Sequence, residues 1–447
     1  MPACFLHSRS KAGIPQGLGE GALNSLLSLL RINWLLLHKA RLAALSAYGY
    51  QAVAALVLIL VVSRLLPPGE YATYSLVIAT AQLAALGAFD WVRFAATRFY
   101  PGIGEDAERR EKATLAASFL AMAGMGLLAA LVFLAFGVSV EITVAGAIIA
   151  AGQGGTDLQL TMSRCRGGFA LFASTQFVRA SALSIGGIGG ALLTGSALGA
   201  MAGVIAGYGA TIAFVLLTDR MLRETDFNSA SSVSLRDYLR YGFPAAGASV
   251  VHLGSAVVLR YAVSIFASPA AVPGMLLAID LVQRPFALGV AALHDVIYPS
   301  VVAAHDRGDK GGERAALLAL YGLEFGSIIF LSTLLIGFSG LISDYVAGAS
   351  LRAAFFAALP LTTVLMALRI VLTAIVATPF HLAKRSGALA LIAAADFLTT
   401  SGALLIAGAV LDVHSAGLLL AGVCAAVTTI IFSQGLRLRW HSPMRDA

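Results

Sequence analysis

Charge is what this sequence has least of. Asp, Glu, Lys and Arg together make up 12% of 447 residues, hydrophobic residues make up 59%, and mean hydropathy is +0.86. A water-soluble domain takes about a quarter of its residues from those four charged types, so a chain built of soluble domains is excluded. Cysteine is nearly missing as well. Cys4, Cys165 and Cys424 fall in a tail, a basic loop and an apolar run, which leaves no disulfide framework to propose. No Gly-x-x-x-x-Gly-Lys, His-Glu-x-x-His or Cys-x-x-Cys pattern occurs. No metal or nucleotide cofactor is therefore expected, and any transport would draw on an ion gradient or the membrane potential instead of ATP hydrolysis. The net charge of +7 would suit a nucleic-acid partner in a soluble protein; here cationic loops that orient a membrane protein account for it, and no nucleic acid is expected.

What is abundant is apolar helix. A crossing of the hydrocarbon layer takes about 20 helical residues, so the chain has room for roughly a dozen spans and short connectors. Six runs of that length lie near Ala43 to Leu65, Tyr71 to Val92, Ala113 to Phe136, Ile142 to Met162, Leu171 to Thr194 and Ala197 to Leu217. A polar stretch from Asp219 to Arg240 follows. Six more runs lie near Phe243 to Phe266, Val272 to Val302, Ala315 to Phe338, Ala353 to Val376, Ala388 to Ala407 and Ala416 to Phe432. The fold class is an all-α polytopic membrane protein. The division is a tail with an interfacial helix (1–42), a first six-helix unit (43–218), a linker (219–240), a second six-helix unit (241–435) and a terminal tail (436–447). In the first tail, Leu26 to Leu37 is too short to cross and is interrupted by Arg31, which reads as a helix lying in the interface with Trp34 at headgroup depth.

Connectors alternate in charge. One set carries Arg93, Arg98, Arg109, Arg110 and Lys112, then Arg164 and Arg166, then Arg220, Arg223, Arg236 and Arg240, then Arg307, Lys310 and Arg314, then Lys384 and Arg385. The other carries little beyond Arg64 and Arg352, and both termini are basic. Cationic connectors stay on the cytoplasmic side, so both ends are expected there. An even number of spans in each half also permits a parallel repeat. Offsetting the chain by 201 residues places Ser63 on Ser264, Leu76 on Leu277, Ile78 on Ile279 and Gln82 on Gln283. Within that match Ala79 and Leu83 become Asp280 and Arg284, so the second half carries the charge.

An ionised side chain at membrane depth costs about 2.5 to 3.5 kcal/mol on insertion scales and must be paired, hydrated or functional. Asp280 and Arg284 are one helical turn apart and could pair, with Asp295 three turns further on and Pro285 positioned to bend the helix. Arg369 and Asp396 lie at comparable depth in consecutive antiparallel spans and could form a buried pair, from which protonation of Asp396 would release Arg369. Arg260 has no carboxylate within a turn, and snorkelling to the outer headgroups is the ordinary fate of such a residue. Arg179 could snorkel or line an inward cavity. Asp90 and Asp157, nearer the cytoplasmic surface, read as caps or as partners of loop arginines, and Glu324 and His252 as polar residues whose facing is open. The glycines at 186–190 and 199–209 read as close helix packing.

The connector Ser63-Arg64-Leu65-Leu66-Pro67-Pro68-Gly69-Glu70-Tyr71-Ala72-Thr73-Tyr74-Ser75 and the stretch Arg93 to Pro101 resemble the corresponding motifs of Wzx-type polysaccharide-biosynthesis flippases. These belong to the multidrug/oligosaccharidyl-lipid/polysaccharide (MOP) exporter superfamily. Arg240-Tyr241-Gly242-Phe243-Pro244 and Tyr298-Pro299 through Asp309 are similar to that family's second-half motifs. The resemblance covers residues 40 to 435. It implies about twelve spans in two six-helix lobes around a central cavity that opens alternately to each side. It also implies a polyprenyl-pyrophosphate-linked oligosaccharide as substrate, moved from the cytoplasmic to the periplasmic leaflet of the bacterial inner membrane. Such a protein is not an enzyme, is expected as a monomer, and would hand its cargo to a polysaccharide polymerase and export machinery. Two departures stand out. Leu259-Arg260 replaces the Asp-Arg pair found at this point in many members, so a charge partner is missing. The first span lacks the carboxylate of many cation-coupled multidrug extruders, which are the alternative reading. A planar guanidinium binds phosphate oxygens bidentately and stays charged when desolvated, so Arg284, Arg369, Arg260 and Arg179 are the candidate headgroup contacts. Asp280 and Asp396 are the candidates for gating or ion coupling. A membrane polymerase or glycosyltransferase would need a larger outer connector than Ser268 to Ala271, and the Gly-x-x-x-Asp-Arg-x-Gly-Arg connector of major-facilitator transporters is absent.

Overall fold

The computed structural model describes residues 39–100, 105–166, 168–219, 227–383, 385–413 and 415–441. The expected interfacial helix at Leu26 to Leu37 lies outside the described residues. Within them the regular structure is helical throughout. The helices are α1 (Lys39–Leu65), α2 (Pro68–Phe99), α3 (Glu105–Ala130), the short α4 (Val132–Ala135), α5 (Val140–Cys165), α6 (Phe169–Thr194) and α7 (Ala197–Thr218). After a 3-10 turn at Phe227–Ser229 come α8 (Ser232–Phe266), α9 (Val272–Asp306), α10 (Lys310–Gly337), the short α11 (Ser339–Val346) and α12 (Arg352–Ile370). The latter continues through a π-helical turn (Val371–Val376) into α13 (Thr378–Leu382); α14 (Ser386–Leu405) ends in a second π-helical turn (Ile406–Val410), and α15 (Ala416–His441) is last.

Twelve of these are of crossing length, and ten are also apolar enough to span a membrane by composition. The remaining two, α5 and α9, carry polar residues in mid-helix: Gln153, Asp157 and Gln159 in one, Asp280, Gln283 and Arg284 in the other. Helices with a polar face at this depth have to turn that face away from lipid. Two boundaries differ from the sequence reading. The second part of the linker is already helix, because α8 starts at Ser232 with Ser231 Oγ accepting from the Ser234 amide, and α15 runs six residues past 435 to His441. Neither stretch is apolar, but nothing in them breaks the helical hydrogen-bond ladder once it is in place.

The repeat is visible in which helices touch. In the first half α1 packs on α6, α2 on α3 and α5, and α7 on both α5 and α6; in the second, α8 packs on α14, α9 on α10 and α12, and α15 on both α12 and α14. Moving each helix six spans along converts the first set of pairings into the second, which puts α2 and α9 in equivalent places, as the 201-residue offset requires. Glycines set the tightest contact. A Cβ on Gly186 of α6 would lie 2.1 Å from the Gly203 carbonyl oxygen of α7, and one on Gly190 would lie 2.0 Å from that of Gly199. Only a helix pair with hydrogen at those positions approaches so closely.

The halves meet along α2 against α8, and α9 against α1 and α2. One large core joins them, from Ile59, Val62 and Leu66 of the first half to Met275, Leu276 and Ile279 of the second. The end of the bundle carrying the basic connectors is called here the basic face, and the end with Arg64 and Arg352 the opposite face.

Candidate functional site

Most described charged side chains at membrane depth sort into three ion pairs. Arg260, on α8 six residues before its end at the opposite face, donates to Asp280 Oδ1 of α9 at 2.9 Å and to Gln283 Oε1 at 2.7 Å. Asp280 Oδ2 accepts in addition from Tyr71 (3.0 Å) and Ser75 (2.6 Å), both on α2. The carboxylate is thus a clasp between the halves: its oxygens take two hydroxyls from the first lobe and a guanidinium from the second. The sequence expectation that Arg260 lacks a charge partner and snorkels outward is corrected. Its partner comes from the next helix, and the residue is buried, 5% exposed. The expected Asp280–Arg284 pair does not form, because Asp280 already has three donors on the other side.

The second pair lies wholly in the second lobe. Arg369 of α12 donates to Asp396 Oδ2 of α14 at 3.1 Å, and Ser255 of α8 donates to the same oxygen at 2.7 Å. Arg369 also reaches Ser255 Oγ and the His252 carbonyl (3.2 Å), and His252 Nδ1 is 3.5 Å from Asp396. The helix turns from α to π directly after Arg369, at Val371. Here the depth comparison placed two residues together that the chain separates by a connector. In the third pair, Arg179 of α6 meets Asp157 Oδ1 of α5 at 2.5 Å and Thr156 Oγ1 at 3.2 Å. Asp157 therefore pairs within the bundle and not with a loop arginine, whereas Asp90 takes Arg93 one turn away at 3.1 Å.

Arg284 is different. It is half-buried, and among the described residues it has no hydrogen bond or ion pair. The groups close enough for its charge to act on are the phenols of Tyr74 (α2) and Tyr208 (α7), both in the first lobe. Tyr208 is also within electrostatic reach of Arg179, so two guanidinium groups from opposite lobes flank one phenol. By α-helical rise Arg284 lies ~18 Å from the start of α9, about the middle of a membrane. The helix is unbroken across Pro285. The side chain of Asp295 lies outside those described. Of the four guanidinium groups at this depth, Arg179, Arg260 and Arg369 each meet a carboxylate (Asp157, Asp280 and Asp396), whereas Arg284 has none within ion-pair distance among the described residues.

A groove of about 420 Å³ between α2, α8 and α14 is lined by Leu83, Val257, Tyr261, Phe397 and Leu404, with no charged group on its walls. Sequence reasoning missed two features. Tyr71 and Ser75 as donors to Asp280 were unmarked, because a tyrosine and a serine in a connector motif carry no sign of facing a carboxylate 205 residues away. Glu324 and His294 form a further buried pair at 2.9 Å, where only Glu324 stood out, as a charge in an apolar run. No cluster of His, Cys, Asp and Glu suited to a metal occurs among the described residues.

No protein-family model matches the chain, and no curated protein sequence matches it. Solved structures do. An inward-facing multidrug-resistance MATE family transporter of the MOP superfamily aligns with a TM-score of 0.61 and 15% identity, over 91% of this chain and all of the other. A MOP superfamily transporter from Pyrococcus furiosus with a binding pocket of reversed polarity aligns at 0.58 and 14%, over 89% and 94%. The lipid II flippase MurJ in an inward closed conformation aligns at 0.69 and 12%, over 88% and 86%. At these identities the likeness is one of fold. The chain has the two-lobed, twelve-helix membrane architecture of the MOP superfamily transporters.

Proposed function

We propose that this protein is a flippase for a lipid-linked oligosaccharide, carrying a polyprenyl-pyrophosphate headgroup between leaflets by alternating access. The observation that carries the reading is the unpaired guanidinium of Arg284, at mid-membrane and within electrostatic reach of Tyr74 and Tyr208 of the other lobe. A permanent cation left without a counterion in a site of low dielectric is stabilised by a ligand that brings negative charge. A pyrophosphate does so, and phenol hydroxyls beside the guanidinium add donors for its oxygens. Arg179 would join once the ligand displaces part of its contact with Asp157. Arg260 and Arg369 are each paired with a carboxylate and act in this reading as fixed parts of the lobes. The prenyl tail needs no protein site, since it never leaves lipid.

A fold shared with the lipid II flippase supports transport of a lipid-linked substrate, and a fold shared with MATE transporters fits a multidrug extruder equally well. The unpaired guanidinium favours the former, because a cationic drug would be repelled by Arg284. The basic connectors support both termini in the cytoplasm, and the rest of the reading is what the flippase resemblance implies: a multi-pass protein of the bacterial inner membrane, a monomer of two lobes (43–218 and 241–435) that translocates without converting its cargo. The product would pass to a polysaccharide polymerase and export machinery.

The test is flipping in reconstituted vesicles. A fluorescent, short-chain polyprenyl pyrophosphate in the outer leaflet is expected to become protected from a membrane-impermeant quencher when wild-type protein is present, and Arg284→Ala is expected to remove that protection. Uptake of an organic cation in place of lipid movement, retained in Arg284→Ala, would defeat the reading in favour of drug transport.

A further inference from the structure

Glu324 sits at the midpoint of α10, at membrane depth, and is completely buried. Its Oε1 lies 2.9 Å from His294 Nδ1 of α9, and its Oε2 is enclosed without any hydrogen-bond partner. Among the described residues no lysine or arginine lies within ion-pair distance of it. Among the described side chains, the other acidic groups at this depth in the second lobe, Asp280 and Asp396, each have a guanidinium. His294 is a quarter exposed and stacks on Tyr298, one turn nearer the basic face, with ring centroids 4.7 Å apart. Tyr321 on α10 is within electrostatic reach of Glu324, and Arg437 of α15 within reach of Tyr321 but not in contact with the carboxyl. From the α12–α13 segment the titratable neighbour is His381, which acts on His294.

Local charge balance favours an added proton on this pair. A carboxylate with a neutral imidazole would leave an uncompensated anion in the bundle, which is what arginine prevents elsewhere in this protein. One added proton, on either the imidazole or the carboxyl, makes the pair neutral. We propose that His294 and Glu324 form a site that binds and releases a single proton, separate from the arginine site and open towards the basic face through His294. Binding forms an N–H or O–H bond within the pair, and release passes the proton from the imidazole to water, leaving the carboxylate to be met by a change in its surroundings. The unpartnered Oε2 is the place for the hydroxyl hydrogen when the carboxyl itself is protonated. That the proton drives lipid movement rests on the flippase reading; the existence of the site does not.

Infrared difference spectroscopy on the full chain in lipid, between acidic and alkaline buffer, tests the site directly. Wild type is expected to show carboxyl and carboxylate bands that vanish from the difference spectrum in Glu324→Gln. In His294→Gln, which keeps the carboxyl and removes the base beside it, those bands move. Difference spectra identical in wild type, Glu324→Gln and His294→Gln would mean that neither the carboxyl nor the imidazole changes its protonation with pH, and would overturn the proposal; a merely structural hydrogen bond predicts that result. The vesicle assay then separates the two readings. Wild-type lipid movement that responds to an imposed pH gradient, with Glu324→Gln still moving lipid but several-fold less responsive, supports proton coupling. Absence of lipid movement in wild type sinks the flippase reading and leaves the infrared result standing.

Discussion

A buried guanidinium has very different consequences depending on whether a carboxylate meets it. Removing one partner of a buried ion pair strands the other, at a cost of about 3 to 5 kcal/mol, while replacing both by apolar groups can be nearly neutral. Arg369→Leu and Asp396→Leu are therefore each expected to lower the thermal stability of the purified protein markedly, and the double variant to recover much of the loss; additive losses would mean that the two do not act as a pair. Arg284 has no partner to strand. Arg284→Leu is expected to leave the melting temperature in detergent unchanged or raised, while eliminating lipid movement. The sequence marked both arginines alike, because each is a cation in an apolar run. What distinguishes them, the occupation of Asp280 by two hydroxyls from across the lobe interface and by Arg260 from the neighbouring helix, is a long-range fact with no local trace.

At the level of elements, the hydropathy pattern was the more complete guide. All twelve spans lie where apolar runs of crossing length lie, since lipid requires every backbone group to be bonded within its own helix. The glycines of α6 and α7 were also legible as packing, and the structure gives them a partner: Gly186 to Gly203 and Gly190 to Gly199. Gly203→Val would drive methyl groups into the backbone of α6, where nothing flexible can yield, since a Cβ there already comes within 1.9 Å of the Gly186 carbonyl oxygen. The expected outcome is loss of folded protein from the membrane, read by fluorescence-detected size exclusion, whereas Gly189→Ala, with open space around it, is expected to be neutral. Helix ends were less legible. The early start of α8 is held by contacts with α3, where Ser234 donates to Glu111 (2.7 Å) and Tyr238 to the same carboxylate. Burial, and then this bond, push the Tyr238 phenol well above its ordinary range. A raised phenol keeps its donor proton up to strongly alkaline pH, so this contact is not expected to weaken between pH 5 and pH 9.

For the whole molecule the distribution of contacts between lobes predicts how it moves. On the α8 side the lobes are joined along the full length of the seam: Thr80 to Tyr261 (2.8 Å) towards the opposite face, a Gly242 Cα packed against the Trp91 carbonyl, and the Glu111 contacts at the basic face. On the α1 side the junction is at the opposite face, where Arg64 Nε donates to the Val346 carbonyl of α11 at 3.2 Å and Ile59, Val62 and Leu66 enter the common core. A body fastened along one seam and at one end of the other turns about the seam. The α2–α8 contact is then the hinge, and the junction at Arg64 and Val346 the part that must separate for the opposite face to open. Cysteines at Arg64 and Val346, joined by a short bifunctional thiol reagent in a background with Cys4, Cys165 and Cys424 replaced by serine, are expected to abolish lipid movement in vesicles. The same reagent joining cysteines at Glu111 and Ser234 is expected to leave most of it, because it fastens residues on the hinge that stay together throughout the cycle. Loss of movement with the second cross-link and retention with the first would place the hinge on the α1–α9 side and reverse the direction in which the lobes part.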